Sequence, residues 1–433
     1  MKSSEYIENE RREYALYILQ NRALPSIIDG LKTPARRLIW TAKDGKKWKT
    51  ASLAGAAMKL HPHGEASSVV NTLTSEYINN IPLFQGYGAF GTLLDTTAYG
   101  AARYTSVQLS EFAKEILFCD NELIPMIDNY DGTCKEPAHF LPLVPIVLLN
   151  PCEGIAIGFS CNILPRRLND IIDFQIRLLK NENARFKPIA PVFDSYEITA
   201  TESLTKEDTW ILEGELNGKT IVKVYPGLNH DKLISQLNKL IDEGYLKDYI
   251  DDSKAKFEIK LIPTNNFPTD YDKQLSLLGL VKNQKEIINI IDFDQQKVKN
   301  SSVRDLIYDF TKWRLQFFEK RYKLQKKQHE EKLSKVMDII IVSKTDVGKL
   351  INNNKTQTEF KAALKKLGVR DVDYIASLPI SQLLHSSVEK YLKQKRDLDE
   401  KIEFCGKIIE NTDLQVQQYI KELKQIRNKY EKL

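Results

Sequence analysis

Three short stretches carry residues whose types and spacing could do chemistry. In Gly100–Ser106, GAARYTS, Arg103 and Tyr104 stand side by side, with small residues before them and two hydroxyls after. A phenol with a pKa of about 10 is a weak nucleophile at neutral pH unless a base, a cation or a metal assists it. Its attack on phosphorus displaces an alkoxide and stores the broken bond as a phosphotyrosine ester, from which the bond can be remade. A neighbouring guanidinium would steady the negative charge that builds on the phosphorane-like transition state. Tyr104 and Arg103 fit that requirement. With 19 tyrosines in the chain, the pair is not specific without its context.

The second stretch is His61-Pro62-His63-Gly64. Two imidazoles at i and i+2, beside a rigid proline and a permissive glycine, could donate to phosphate or bind a metal. No carboxylate–cysteine set stands at metal-ligand spacing, which favours phosphate over zinc; a plain solvent-exposed turn fits these four residues equally well. The third is PCEGIAIG, 151–158, in which Ile155 lies at a glycine-flanked turn. Such a residue is ordinarily core, and the residues alone favour core. The alternative is an apolar wedge driven between base steps of DNA. The chain has no GxxxxGK[ST] phosphate loop and no dense acidic cluster of the two-metal kind, so any metal or ATP site is expected on a partner.

These residues must be positioned by more than one domain, because 433 residues exceed a single compact core. The apolar fraction of 42% and charged fraction of 28% are ordinary for a globular protein, and no apolar window is long enough to span a membrane. The N-terminus MKSSEYIENERREY is not a signal peptide, and five cysteines without CxxC spacing predict free thiols in a reducing cytoplasm. Between Lys32 and Lys49, seven basic residues face one acid, Asp44. That density suits either a phosphate backbone or a solvated basic surface.

Along the chain, residues 4–21 read as helix, and the Pro- and Gly-broken stretch 21–37 leads into a helix near Arg36. Residues 49–78 read as a helix, a tight turn at His61–Gly64, and a second helix with Glu65 in its first turn: helix-turn-helix logic. Residues 81–100 are loop-rich. Residues 145–163 read as a buried strand, a glycine turn and another strand, and 190–262 alternate like strands, with Asn217-Gly218 predicting a type I′ hairpin. After Ser301 the pattern is helical: two long amphipathic helices, a shorter helical insert at about 343–384, and a stop and restart with an N-cap at Glu410–Asp413. An antiparallel coiled coil carrying a contact head accounts for this, as does a plain helical bundle.

In order, RALPSIIDGLKTPARRLIW, KLHPHGEASSVVNTL, FQGYGAFG, AARYT, GIAIGFSCNILP, LPISQLLHSSVEKYL and the long-helix tail resemble the breakage–reunion subunit of type IIA DNA topoisomerases, the class containing the gyrase A subunit. The resemblance runs from about Tyr14 to Leu433. It implies that Tyr104 is the nucleophile that bonds to a DNA 5′-phosphate and Arg103 its phosphate-stabilising neighbour. Arg22 would reach toward the scissile phosphate of the partner protomer's tyrosine. Lys32, Arg36 and Arg37 would bind the DNA backbone, His61 and His63 would contact phosphate, and Ile155 would intercalate and bend the DNA.

The implied fold is α+β and multidomain. It comprises an N-terminal arm (1–27), a winged-helix (helix-turn-helix) catalytic domain (28–150), a mixed α/β tower (151–300), a long antiparallel coiled coil (301–342 and 383–411) with a helical dimer-gate tip (343–382), and a C-terminal helix (412–433). Implied partners are double-stranded DNA, a second copy joined through the coiled-coil tip, and an ATPase/TOPRIM-bearing topoisomerase subunit that carries Mg2+ and ATP; no membrane is implied. The family's histidine before the two arginines is replaced by Ala35, removing one expected backbone contact. Its quinolone-contacting serine matches either Ser67 or Ser68. No wrapping module follows Leu433, so relaxation is expected rather than negative supercoiling. Two rivals remain: a non-catalytic dimeric DNA-bending protein, and a metal-dependent nuclease using His61 and His63.

Overall fold

The computed structural model describes residues 10–431 except positions 12, 16, 63–65, 157, 295–296, 354–355 and 384–387. Two compact units divide the chain: one runs to Lys312 and resumes at Glu422, and the other is Trp313–Lys421. The architecture is mixed α and β, with short antiparallel sheets throughout the first unit. Among the described residues, no helix is long and apolar enough to cross a membrane.

In the first unit the described residues between 10 and 18 are helical and run into a short π-helical turn, Leu19–Ala23, followed by a helix, Thr33–Thr41, opened by Pro34. A proline in the first turn has no amide to leave unsatisfied and its φ is already helical. The helix buries Ala35, Arg36, Leu38 and Ile39. It contacts the helices Thr50–Ala57 and Ser67–Thr74, which also contact each other, so the predicted helix pair has a third helix behind it. The predicted first-turn residue of the second helix, Glu65, lies outside the described residues. Beside the helices is a three-stranded antiparallel sheet with Ser106–Leu109 at its centre, flanked by Trp48–Lys49 and Phe84–Tyr87.

The apolar run after Pro145 departs from expectation. Ile146–Leu148 forms a buried 3-10 turn, and the strand pair lies further on, Cys152–Ala156 with Phe159–Ile163. Pro145 and Pro151 bracket the run and cannot donate to a ladder. The Asn150 side chain takes the place of a strand partner: it accepts from the Ile81 amide at 2.9 Å and donates to the Ile81 carbonyl at 2.8 Å. The turn also presses on Gly30, whose φ is +66° and whose Cβ position lies 2.3 Å from the Val147 nitrogen. Only glycine fits there.

Residues 190–262 form strands as predicted, but a helix, His230–Asp242, interrupts them. Leu233, Leu237 and Leu240 recur at helical spacing and pack in one apolar cluster with Leu216, Ile221, Ile259 and Leu261 of a four-stranded sheet. The hairpin turn is offset by one residue: Asn217 pairs with Thr220, so Gly218 and Lys219 form the loop. Only Gly218 has positive φ (+64°). A glycine-first loop is the II′ pattern, not the predicted I′, which needs positive φ at both positions. Beneath this region Arg166, fully buried, forms two 2.6 Å hydrogen bonds to Glu286. Glu286 also accepts from the Leu164 amide and Trp210 Nε1, each at 3.0 Å. A buried charge is tolerated only when its hydrogen-bonding capacity is met in this way.

The second unit is helical. The 41-residue helix Val303–Ser343 enters it at Trp313, and Val388–Glu410 and Thr412–Lys429 return. Phe318 meets Tyr419 (ring centroids 4.9 Å apart) and Tyr322 meets Phe404 (6.1 Å), so partners fall in number as the first helix rises and the packing is antiparallel. The break falls at Asn411, whose side chain accepts from the Asp413 amide at 2.8 Å, the predicted N-cap. The insert contains helices Val347–Asn353, Gln357–Lys366 and Val372–Ser377 around Ile339, Ile340, Leu364 and Ile375. Buried Asp338 accepts from the amides of Arg370 and Asp371, at 3.1 and 2.8 Å.

Candidate active site

Tyr104 is 71% exposed, on the turn that leads into the central strand Ser106–Leu109. The turn is held almost wholly by main chain. The amides of Tyr104 and Thr105 donate to the Ala101 carbonyl at 2.8 and 3.2 Å, and Ala51 and Thr50 at the next helix's start donate to the carbonyls of Ala102 and Thr105, both at 3.2 Å. The buried hydroxyls of Thr50 and Thr105 share a 2.7 Å hydrogen bond, and Lys49 Nζ donates to the Tyr104 carbonyl at 3.2 Å. Behind the turn, Cβ positions on Gly88 and Gly100 lie 3.2 and 2.9 Å from the Thr105 methyl, which explains the glycines of FQGYGAFG and GAARYTS. The Arg103 guanidinium carbon lies 4.8 Å from the Tyr104 ring centroid, so the cation accompanies the phenol.

The loop before this turn is anchored elsewhere. Leu93 and Leu94 pack against the apolar cluster of residues 164–281, and the Leu94 carbonyl accepts from the His230 amide at 3.0 Å. Within the loop the Asp95 carboxylate accepts from the Thr97 hydroxyl and amide at 2.7 and 2.8 Å, which holds its carboxyl below the usual range. Gly100 then rejoins at the Ala89 carbonyl, 2.9 Å away. The tyrosine turn is thus braced from two cores.

A second group of site residues lines a cleft of about 400 Å³. Arg22, exposed on the Leu19–Ala23 turn, shares it with Lys32, Ser68 and Cys152. Lys32 Nζ donates to the Glu153 carbonyl at 2.7 Å, joining the basic segment to the Cys152–Ile163 hairpin. That hairpin abuts the arginine-bearing turn so closely that a Cβ on Gly154 would lie 1.9 Å from the Ala23 carbonyl oxygen. One residue on, Ile155 is 90% exposed, opposite Ser160 and near the reversal at Gly158 (φ +79°), with Phe159 exposed beside it. The core reading of Ile155 is therefore wrong. Ser67 is buried and Ser68 exposed, so of the two candidate serines only Ser68 faces the cleft. His61, half-buried, lines an adjoining small cleft with Arg22 and Arg37, its ring 5.5 Å from that of Tyr130. His63 lies outside the described residues.

Over residues 22–424 the chain matches the family model of the DNA gyrase/topoisomerase IV A subunit. It belongs to that family. It is similar to the DNA topoisomerase medium subunit of Enterobacteria phage T4, 26% identical over 97% of this chain and 98% of that protein. It is also similar to a DNA gyrase A subunit of Spiroplasma citri, 35% identical over 40% of this chain and 81% of that one. The DNA topoisomerase 4 A subunit of Pseudomonas aeruginosa is 25% identical over 91% of this chain and 58% of its own length.

For this gyrase/topoisomerase IV A-type chain, two expected backbone-binding positions are engaged by internal carboxylates. Arg36 is buried, and its guanidinium donates to Asp29 at 2.6 and 2.9 Å and to the Leu31 carbonyl at 3.3 Å. Asp29, fully buried, also accepts from the Phe140 amide at 3.0 Å. Arg37 makes a two-pronged contact with Glu136, at 2.6 and 2.8 Å. Both arginines are matched to internal carboxylates, so their first role is to hold the helix in place. The rest of the basic run is also dispersed: Lys43 sits over Trp40 (3.5 Å), Lys47 over Tyr87 (3.6 Å), and Lys46 pairs with Asp44 (3.1 Å). Lys49, counted only as one charge among seven in the sequence, proves to touch the tyrosine turn. Nothing in its spacing distinguishes it from its neighbours.

Proposed function

We propose that this chain is the DNA cleavage and religation subunit of a type II DNA topoisomerase. The observation that carries the reading is Tyr104, exposed beside Arg103 on a main-chain-held turn. In the proposed step the Tyr104 Oη attacks a DNA phosphorus, the P–O3′ bond breaks, and a 5′-phosphotyrosine ester remains. The phenolic proton ends on the released 3′-oxygen, and reversal reseals the strand. Arg103 neutralises the charge that builds on the phosphoryl oxygens. Arg22 reaches toward the scissile phosphate at the partner protomer's tyrosine, Lys32 holds the backbone alongside, and Ile155 enters between base steps and bends the duplex.

Two copies would place two tyrosines across one duplex for a staggered double-strand break, joined through the helical segment 343–382 at the end of a coiled coil. Residues 28–150 act as the winged-helix catalytic region and 151–300 as the tower. Among the described residues no group of three His, Cys, Asp or Glu side chains could hold a metal ion. Mg2+ and ATP are assigned, in this reading, to an ATPase-bearing partner. Relaxation of supercoils is the activity we assign to the complex.

The test is a detergent-trapped cleavage reaction with the partner subunit, ATP and magnesium. Tyr104→Phe abolishes the covalent DNA–protein adduct while DNA binding persists. Adducts that survive in that variant, attached at another tyrosine, would sink the assignment. A purely DNA-bending protein would give no adduct even with the unaltered chain, and a histidine–metal nuclease would give permanent breaks without a tyrosine link.

A further inference from the structure

The cysteines of the chain are free thiols, and two of them meet. In the hairpin, Cys152 stands opposite Ile163 and Cys161 opposite Gly154. With a side-chain period of two, both cysteines project from the same face of the ladder as diagonal neighbours. Because Cys161 faces a glycine, its sulfur occupies space a side chain would fill, 3.1 Å from the Gly154 Cβ position. There it stands on the same face as the Cys152 thiol and donates to the Ala23 carbonyl oxygen at 3.8 Å.

The two thiols differ in access and in charge environment. Cys161 is 3% exposed. Cys152 is half-buried and lines the cleft with Arg22 and Lys32. The neighbouring Cys161 thiol, and then the Lys32 ammonium, hold the Cys152 thiol below its ordinary range. The interaction with Cys152, and burial, push Cys161 up. A half-buried thiol in a cleft that holds Arg22, Lys32 and Glu153, with a second thiol on the same ladder face, is the arrangement of an attacking and a resolving cysteine.

We propose that Cys152 and Cys161 are a redox-reactive dithiol, a modification site that takes a small hydroperoxide through the Arg22–Lys32 cleft. The Cys152 thiolate attacks the peroxide, the O–O bond breaks, and Cys152 becomes a sulfenic acid as the departing oxyanion takes a proton. The Cys161 sulfur then attacks the Cys152 sulfur and forms the disulfide, and the hydroxyl leaves as water with the Cys161 proton. Two thiols are oxidised by two electrons and the peroxide is reduced. A thiol reductant reverses the bond by exchange.

This chemistry does not depend on the assignment to DNA cleavage, and its test contains no DNA. The full chain is treated with stoichiometric hydrogen peroxide, its remaining thiols are alkylated, and the digest is analysed by mass spectrometry. The expected product is a Cys152–Cys161 cross-link, two hydrogens lighter than the dithiol, formed before Cys119, Cys134 or Cys405 is oxidised and removed by dithiothreitol. In Cys161→Ser, Cys152 stops at the sulfenic acid and is captured by dimedone. In Lys32→Met, oxidation of Cys152 slows. The proposal is overturned if Cys119 or Cys134 reacts before Cys152, or if Cys152 in the unaltered chain passes to sulfinic acid without the cross-link. Circular dichroism of each variant identifies one that has failed to fold, and Cys152→Ser, which removes only the attacking sulfur, then decides: Cys161 oxidised in it at the unaltered rate also overturns the proposal.

Discussion

Replacing Arg36 by Met distinguishes an internal strut from a DNA contact. Asp29 is fully buried and accepts four hydrogen bonds: two from Arg36, one from the Leu31 amide at 3.1 Å and one from the Phe140 amide at 3.0 Å. Removing one partner of a buried pair costs about 3–5 kcal/mol, because the other charge is left behind. Here two amides remain on the carboxylate, each worth about 1.5 kcal/mol or more, which places the cost near the lower end, about 3 kcal/mol. A domain of 150–250 residues loses about 2–4 °C per kcal/mol, so Arg36→Met should melt about 6–12 °C lower, toward the smaller figure for a larger unit. Adding Asp29→Asn should restore part of that loss. DNA affinity measured against salt gives the second reading. A lost phosphate contact lowers the slope of log K against log salt by about one. Arg36→Met should leave the slope unchanged, whereas Arg22→Ala should lower it. An Arg36→Met protein that melts with the unaltered chain and loses a unit of slope would refute the strut and return Arg36 to the DNA surface.

Truncating the loop anchor with Leu94→Ala should cost about 1–2 kcal/mol, since Leu94 is only partly buried against its cluster. Trapped-adduct yield should fall further than DNA affinity, because the loop braces the tyrosine turn. Burial lowers the pKa of His139, so the native state favours the neutral ring and its contribution is complete above the unfolded pKa. As pH falls below about 6.5 the unfolded state binds the proton first and stability drops. Urea midpoints across that range should flatten in His139→Gln. In the helical unit, Asp338→Ala strands two part-buried amides and should cost about 1–3 kcal/mol, with Asp338→Asn keeping part of the contact, as thermal melts would report.

What the sequence made legible was local. The helix near Arg36, the N-cap within Glu410–Asp413 and the helical pattern after Ser301 depend on neighbours within a turn or two, and each produced the expected element. The failures came from distance. Arg37 looks like a surface cation until Glu136, 99 residues away, is brought against it. The run at Ile146 has the composition of a buried strand, and only its enclosing prolines and the Asn150–Ile81 pairing show why it does not extend. Ile155 fails in the other direction: its type predicts core, and its exposure is set by its place near the reversal of a hairpin. The hairpin at Gly218 was legible as a turn and missed in register and type, because Asn-Gly and Gly-Lys loops share the same glycine.

The bonds that fix position 104 use its amide and carbonyl, and the side chain takes no part in them. The holder therefore does not read its cargo. A fluorinated tyrosine installed there would occupy the same place with a more acidic phenol, and a graded series of such analogues would vary proton affinity while geometry stays constant. Under the proposed cleavage chemistry, the dependence of its rate on that acidity would then reveal how much negative charge the oxygen carries when the bond to phosphorus forms, a quantity that substitutions altering the turn itself could never isolate.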